Sequence, residues 1–221
     1  MPSPLSALSP LDGRYHKQLA SLTAYCSEAA LIRYRVRIEI EWLIALAQEP
    51  DLAEIRPFSA AAVSELRQAA AAFAEADAAR VKEIEVRTNH DVKAIEYWLK
   101  ERFAGHAELA AAAEFIHFAC TSEDINNLAH ALTLADAREK VMLPAIDGVV
   151  DKLGALAHAL ADAPMLARTH GQAATPTTMG KEMANVVHRL RRARARIAAV
   201  GLTGKINGAV GNYNAHLAAY P

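Results

Sequence analysis

The sequence contains few cysteines, only Cys26 and Cys120 in 221 residues. Two isolated thiols provide neither a disulfide framework nor the spacing of a zinc site, so reduced thiols in a cytosolic protein are the simplest interpretation. His117 precedes Cys120 at H-x-x-C spacing, but no second ligand pair lies near it in the sequence. We therefore expect no metal, no cofactor and a cytoplasmic location.

The sequence also has no long apolar run and no excess of one charge. No stretch approaches the roughly 18 apolar residues of a membrane helix, and residues 1–17 show no apolar region of a secretory signal. Lys and Arg total 24 and Asp and Glu total 25, which gives a net charge of −1. The basic run 188–196 has no interleaved aromatic residues on which bases could stack. We therefore expect neither a membrane nor a nucleic acid as partner.

Aromatic residues make up only 6% of the chain, whereas hydrophobic residues make up 52%, which excludes a disordered protein. Alanine, the strongest helix former, accounts for about a fifth of the residues. The composition predicts an all-α protein. We expect a small N-terminal helical domain over residues 1–118 and the first part of a long helical bundle over residues 119–221.

Apolar periodicity, capping residues and prolines predict seven helical stretches. They cover about 17–48, which a break near Ser27 can divide, and about 59–85, 91–103, 109–118, 121–140, 144–161 and 175–200. In the last of these, Thr175 is the expected N-cap and Pro176 the first helical residue. Residues 1–16, 164–175 and 204–216 are predicted to be irregular.

Three polar clusters interrupt the helical pattern, at 88–91, 121–124 and 169–172, and a new helix is predicted to follow each of them. The free N–H groups at a helix N-terminus suit a carboxylate or a phosphate. Ordinary helix capping explains any single cluster better than a binding site does. The presence of three such clusters makes capping and a binding site about equally probable.

The clusters lie within TNHDVKA (88–94), TSEDINN (121–127) and RTHGQ (168–172). Together with SPLDGRY (9–15) and KINGAVGNYN (205–214), these segments resemble the bacterial adenylosuccinate lyases, a family of the fumarase/aspartase superfamily. The similarity runs from about residue 8 to 221 in the family's order. It implies a β-elimination that cleaves a C–N bond of a nucleotide substrate, either adenylosuccinate or succinyl-aminoimidazole carboxamide ribotide, and releases fumarate in purine biosynthesis.

That reaction needs a base, an acid and fixed hydrogen-bond donors for a dianionic succinyl group. The resemblance implies that His170 is the general acid, a role that suits a group titrating near neutral pH. It implies that Thr121 and Ser122 donate hydrogen bonds to a substrate carboxylate. From the residues alone, a solvated loop histidine is the favoured interpretation of His170, and the resemblance reverses it.

By the same resemblance, Asn89, His90 and Asp91 form a substrate-binding trio, and Arg14 and Tyr15 hold the nucleotide phosphate. Arginine suits that contact because its planar guanidinium can bind an oxyanion through two hydrogen bonds. Two alternatives stay open: Asp91 as a plain N-cap, and Arg14 as a solvated residue after a turn.

The sequence departs from the family in two ways. Ala173 stands where proline is common, and no Ser-Ser-x-Met-Pro-x-Lys-x-Asn pattern, which carries the family's general base, is present. We therefore expect an N-terminal portion that is inactive alone and associates into a homo-oligomer, since the family builds each site from three subunits of a tetramer. The alternatives are another fumarate-releasing lyase, such as an argininosuccinate lyase, and a non-catalytic helical interaction module.

Overall fold

The computed structural model describes residues 5–221, and most of them are helical. The predicted all-α class is confirmed, apart from a short antiparallel hairpin. The elements in chain order are α1 (Ala20–Cys26), α2 (Glu28–Gln48), α3 (Ala60–Ala71), α4 (Glu75–Thr88), α5 (Asp91–Phe103), α6 (Ala107–Ala111), α7 (Ser122–Ala137), α8 (Leu143–Ala159), β1 (Pro164–Thr169), β2 (Gln172–Thr178), α9 (Met179–Ala198) and α10 (Asn214–Ala219).

The chain divides into two compact units. The first unit contains the residues up to Leu134 together with Thr203–Pro221, and the second contains Ala135–Leu202. The proposed domain boundary between residues 118 and 119 stays a prediction, because a compact unit of this chain need not be a domain of a longer protein.

Helix α2 forms the centre of the first unit. Its apolar side chains, among them Ile32, Val36 and Ile40, are almost completely buried in the core shared with α3, α4 and α5. Each such side chain contributes about 1.5–3 kcal/mol by leaving water. The predicted break near Ser27 is confirmed, since the Ser27 hydroxyl caps α2 by accepting from the Ala30 N–H at 3.1 Å.

The single helix predicted over 59–85 is wrong. Helix α3 ends at Ala71 and α4 begins at Glu75, where the Asp77 carboxylate accepts from the Ala74 N–H at 2.9 Å. Phe73 lies in the break and packs edge-on against Trp98, with ring centroids 5.3 Å apart. The gain from burying this aromatic pair accounts for a break that alanine-rich sequence does not signal. The helix expected over 109–118 is also shorter, with α6 followed by a 3₁₀ turn over Ala113–Phe115.

The irregular loop predicted over 164–175 is an antiparallel hairpin instead. Strands β1 and β2 pair from Pro164 opposite Thr178 to Thr169 opposite Gln172, with an irregularity between Leu166 and Arg168. His170 and Gly171 form the turn at φ 51° and 76°, the left-handed pair that a two-residue hairpin turn requires.

The expected helix start at Thr175–Pro176 is therefore wrong as well. Pro176 lies in β2, and the Thr178 hydroxyl caps α9 by accepting from the Lys181 N–H at 3.2 Å. A threonine followed by proline is compatible with either structure, because proline suits both a first helical turn and a strand position that needs no donor.

The second unit is built on α8 and α9. A π-helical turn over Arg138–Met142 joins α7 to α8 without the break expected before Pro144. The Arg138 guanidinium donates to the Val200 carbonyl at 2.6 Å, and Arg194 forms a bidentate ion pair with Asp147 at 2.9 and 2.8 Å. None of the helices within residues 5–221 is long and apolar enough to cross a membrane.

Gly180 allows α8 and α9 to approach closely. A Cβ atom there would lie 2.4 Å from the Ala157 carbonyl oxygen and 2.6 Å from the Ala161 Cα, both of them backbone atoms. We expect Gly180→Ala to destabilise the second unit by about 1–3 kcal/mol through overpacking. Hydrogen exchange of the α8 and α9 amides measures the loss.

Gly154→Ala on α8 is the matched control, because a Cβ there meets nothing within 4 Å. This substitution should stabilise the helix by about 0.5–1 kcal/mol, since alanine loses less backbone entropy on folding. Equal effects of the two substitutions would contradict the close helix contact at Gly180.

Candidate active site

The segment between α4 and α5 places His90 beside Ser122. Asn89 ends α4 in the left-handed region at φ 49°, and His90 is the N-cap of α5. The His90 Nδ1 accepts from the Lys93 N–H at 3.0 Å, so the neutral ring carries its proton on Nε2. That nitrogen lies 3.3 Å from the Ser122 Oγ. The structure thus brings two of the predicted site segments together in the first unit.

Asp91 is the first residue of α5 and forms an ion pair with Arg35, at 2.8 Å. The alternative that Asp91 is a plain N-cap is wrong, because His90 occupies that position. Burial raises the pKa of the Asp91 carboxyl, but the Val92 N–H and the Arg35 guanidinium lower it by more, and the net pKa lies below its usual range. Asp91 is therefore ionised and directed at Arg35.

The segment 121–127 starts α7 and contains the buried carboxylate of Asp124. This carboxylate accepts from the Thr121 N–H at 3.0 Å, from the Lys205 ammonium at 2.7 Å and from the N–H groups of Asn207 and Gly208 at 3.2 and 3.0 Å. Burial raises the pKa of Asp124, but these donors lower it by more. A fully buried charge is stable only with such partners.

Asn127 binds the same distant segment through its amide. Its Oδ1 accepts from the Lys205 N–H at 2.8 Å, and its Nδ2 donates to the Lys205 carbonyl at 3.0 Å. The segments 121–127 and 205–214 therefore lie side by side, although they are about eighty residues apart. The loop predicted over 204–216 agrees with the structure up to Tyr213, and the short helix α10 begins at Asn214.

A buried pair, Glu39 and His117, lies just before the second cluster. The His117 Nδ1 is 2.6 Å from the Glu39 Oε1, and the Glu39 side chain is completely buried. Burial raises the pKa of Glu39 by more than His117 lowers it. Burial lowers the pKa of His117, but the hydrogen bond and charge of Glu39 raise it by more. The sequence alone does not identify Glu39, Asp124 or Lys205 as site residues. For Glu39 no local signal exists, because α2 also contains arginines and Glu41.

Arg14 and Tyr15 lie on an exposed stretch of turns before α1. The two side chains contact each other, and the Arg14 guanidinium carbon lies 5.5 Å from the centre of the Tyr15 ring. His170 is exposed at the tip of the β1–β2 turn and belongs to the second unit. Within residues 5–221, no cluster of three or more His, Cys, Asp or Glu side chains is arranged to hold a metal ion.

The sequence model of the lyase family matches residues 13–221. The chain belongs to the lyase family. Four of the five segments named above lie wholly within the matched range, and the fifth, 9–15, lies within it at residues 13–15. The family membership agrees with the helical fold.

Curated relatives of this lyase include the adenylosuccinate lyases of Haemophilus influenzae, Vibrio cholerae and Escherichia coli K12. They are 55%, 57% and 53% identical to the chain over 219 residues, which is 99% of the chain and 48% of each relative. The chain therefore spans about half the length of the curated relatives it matches.

Solved structures with the same fold include a fumarate lyase from Mesorhizobium sp. BNC1, with a TM-score of 0.67 at 24% identity. This match covers 90% of the chain and 44% of that protein. A 3-carboxy-cis,cis-muconate lactonizing enzyme from Pseudomonas putida gives a TM-score of 0.66 at 22% identity over 89% of the chain and 43% of that protein. At this identity the similarity concerns the fold alone.

The Glu39–His117 pair predicts a pH dependence of stability. Both groups hold their protons more tightly in the folded state than in the unfolded state, so folding takes up protons. The stability contributed by the pair should therefore be complete below the usual glutamate pKa of about 4.3. It should fall as the pH rises above that value through the raised pKa of Glu39, and fall further above the usual histidine pKa of about 6.5, through the raised pKa of His117. Glu96 and Lys93 on α5 also act on His117, with opposite signs.

We expect Glu39→Gln to reverse this slope. Without the Glu39 carboxylate, burial is the dominant influence on the His117 imidazole and lowers its pKa, so stability should rise between about pH 5 and 7. Urea unfolding followed by tryptophan fluorescence measures it, since Trp42 and Trp98 both lie in the first unit. The same pH slope in the wild-type chain and the variant would contradict the coupling.

Proposed function

We propose that the protein containing this chain is an adenylosuccinate lyase, which splits adenylosuccinate into AMP and fumarate and acts likewise on succinyl-aminoimidazole carboxamide ribotide. The observation that carries the proposal is identity of 53–57% to adenylosuccinate lyases across 99% of the chain, a range that includes every candidate site residue. In this reaction the base takes the proton from the carbon beside a carboxylate, the C–N bond breaks, and the acid protonates the leaving nitrogen.

We assign the general acid to His170. His170 lies in the hairpin turn, where it and Gly171 adopt left-handed backbone conformations, so the turn fixes the backbone that carries the imidazole. The residue is exposed, so a ligand can reach the imidazole. An imidazole can deliver a proton to nitrogen near neutral pH, as this step requires.

The succinyl carboxylates need donors that are fixed before the substrate arrives, and the start of α7 supplies them in this proposal. Thr121 and Ser122 carry hydroxyl donors at a helix N-terminus, where the free N–H groups also favour an anion. His90 adds its Nε2 proton, 3.3 Å from the Ser122 Oγ. Three donors in adjacent segments match a group whose negative charge grows in the transition state.

The remaining assignments complete the substrate site. Asn89, next to His90, would contact the substrate directly. Asp91 is bonded to Arg35 and would act mainly by fixing the start of α5. Arg14 and Tyr15 are assigned to the nucleotide phosphate, for which their exposure on the arm leaves both side chains accessible.

We propose that the general base comes from residues other than these 221, because the sequence lacks the family's serine pattern. The chain alone would then be inactive, and each complete site would combine several subunits of a cytoplasmic homotetramer. Apolar side chains left exposed on the second unit support such an assembly, since exposed apolar area favours association. They include Met142, Val149, Leu156 and Val200.

Two alternative functions are not favoured. An argininosuccinate lyase would belong to the same superfamily, but the curated relatives named above are adenylosuccinate lyases. A non-catalytic helical module would have no need for the His90 imidazole beside the Ser122 hydroxyl at the start of α7.

A complementation assay tests the proposal. A full-length relative inactivated at the histidine aligned with His170 is refolded together with this chain. We expect adenylosuccinate cleavage to return, because mixed sites combine an intact acid from this chain with an intact base from the relative. Cleavage is followed by the change in ultraviolet absorbance.

Two variants of this chain serve as comparison. His170→Ala should abolish the recovered activity, whereas His158→Ala, at an exposed histidine on α8, should leave it within about twofold. Lack of recovery in an assembly shown to contain both chains would overturn the assignment.

A further inference from the structure

One face of α2 contacts the first predicted substrate segment and the residues just before the second. Arg35, Glu39 and Trp42 are spaced at i, i+4 and i+7, so they lie along the same side of the helix. Each bonds to a residue outside α2 that belongs to the first cluster or lies three or four residues before the second. Polar groups at three such positions are unusual in a helix that otherwise supplies much of the apolar core.

Arg35 controls the first cluster. Its side chain is only 7% exposed, and its guanidinium reaches Asp91 at 2.8 Å. Asp91 follows directly after His90, whose ring caps α5. A buried arginine held by a carboxylate fixes both groups, because breaking the pair leaves an uncompensated charge. The position of the His90 ring therefore depends on Arg35.

Glu39 and Trp42 control the second cluster. Glu39 binds the His117 imidazole at 2.6 Å, and the Trp42 indole N–H donates to the Phe118 carbonyl at 2.9 Å. His117 and Ala119 both adopt left-handed backbone conformations, at φ 62° and 61°. Such conformations in residues other than glycine persist only where the surroundings hold them. The two contacts from α2 hold this strained stretch two to five residues before Thr121 and Ser122.

We propose that the Arg35–Glu39–Trp42 face of α2 is the scaffold that positions the substrate-binding donors His90, Thr121 and Ser122. Glu39 acts through His117, and both are positioning residues that touch no substrate. The inference rests on the proposed function for the role of the donors. The geometry it describes can be measured without a substrate.

The test compares substitutions at His117 in the full chain. His117→Ala removes the partner of a completely buried carboxylate. His117→Asn keeps an N–H donor near the Nδ1 position and tolerates a left-handed backbone, so it should rescue the contact. Glu41→Gln is the matched control on the same helix, because Glu41 pairs with Arg67 at 2.9 Å on the exposed side.

Amide hydrogen exchange and the NMR signal of the His90 Nε2 proton are the readouts. We expect His117→Ala to speed exchange at residues 120–124 at least tenfold and to shift the His90 signal, with exchange in α3 unchanged. His117→Asn and Glu41→Gln should stay within twofold of the wild-type chain. If His117→Ala does not fold, Glu39→Gln takes its place, with at least threefold faster exchange expected at the same amides.

The positioning role would be overturned if His117→Ala left exchange at residues 120–124 unchanged. It would also be overturned if His117→Asn accelerated this exchange as much as His117→Ala does. This failure is distinguishable from failure of the proposed function. If His117→Ala has the expected effects on exchange and on the His90 signal, but turnover does not return in the complementation assay, the proposed function is overturned. The scaffold role of α2 then still stands.

Discussion

The buried carboxylate of Asp124 is the group on which the first unit most depends. It has no exposed surface, yet it is ionised, because Lys205 and three backbone N–H groups surround it. An isolated charge in this position would destabilise the fold strongly, so the chain must bring residues 205–208 against the start of α7. One carboxylate thereby determines both how α7 begins and where the last segment of the first unit lies.

Apolar and polar contacts have different roles in this unit. The burial of Ile32, Val36 and Ile40 supplies stability but tolerates small shifts, since dispersion and hydrophobic forces have little direction. The bonds from Arg35, Glu39 and Asp124 fix particular atoms, and each of them ends at or beside a candidate substrate segment. Strong hydrogen bonds in a low-dielectric interior are the means by which loops with strained backbones are held in one conformation.

Much of the fold could be predicted from local sequence. Ser27 has the side chain of a helix cap, and 91–103 has the periodicity of an amphipathic helix, and both predictions agree with the structure. The hairpin over 164–178 was missed because a pair of short strands is stabilised mainly by each other, and Thr175–Pro176 is compatible with a helix start. The break at Phe73 was missed because its cause is the ring of Trp98, 25 residues away.

The candidate site also has features that the sequence predicts and features that only the structure shows. Its clusters could be found in the sequence because capping residues and histidines interrupt the helical pattern, and the family resemblance gave them roles that stay proposals. The Glu39–His117 and Asp124–Lys205 pairs could not be found, since their partners are 78 and 81 residues apart and no local rule links them. The structure adds the contact between His90 and Ser122, which links the first two clusters.

A double-mutant cycle between Asp124 and Lys205 is the most direct measurement of this organisation. The free energies of unfolding of Asp124→Asn, Lys205→Met and the double variant are compared with that of the wild-type chain, using tryptophan fluorescence in urea. Because Lys205→Met leaves the completely buried Asp124 carboxylate without its cation, whereas Asp124→Asn leaves the partly exposed Lys205, we expect a coupling energy of about 2 kcal/mol or more. A coupling energy below about 0.5 kcal/mol would show that the two segments are held together without this ion pair, and would contradict its central place in the structure.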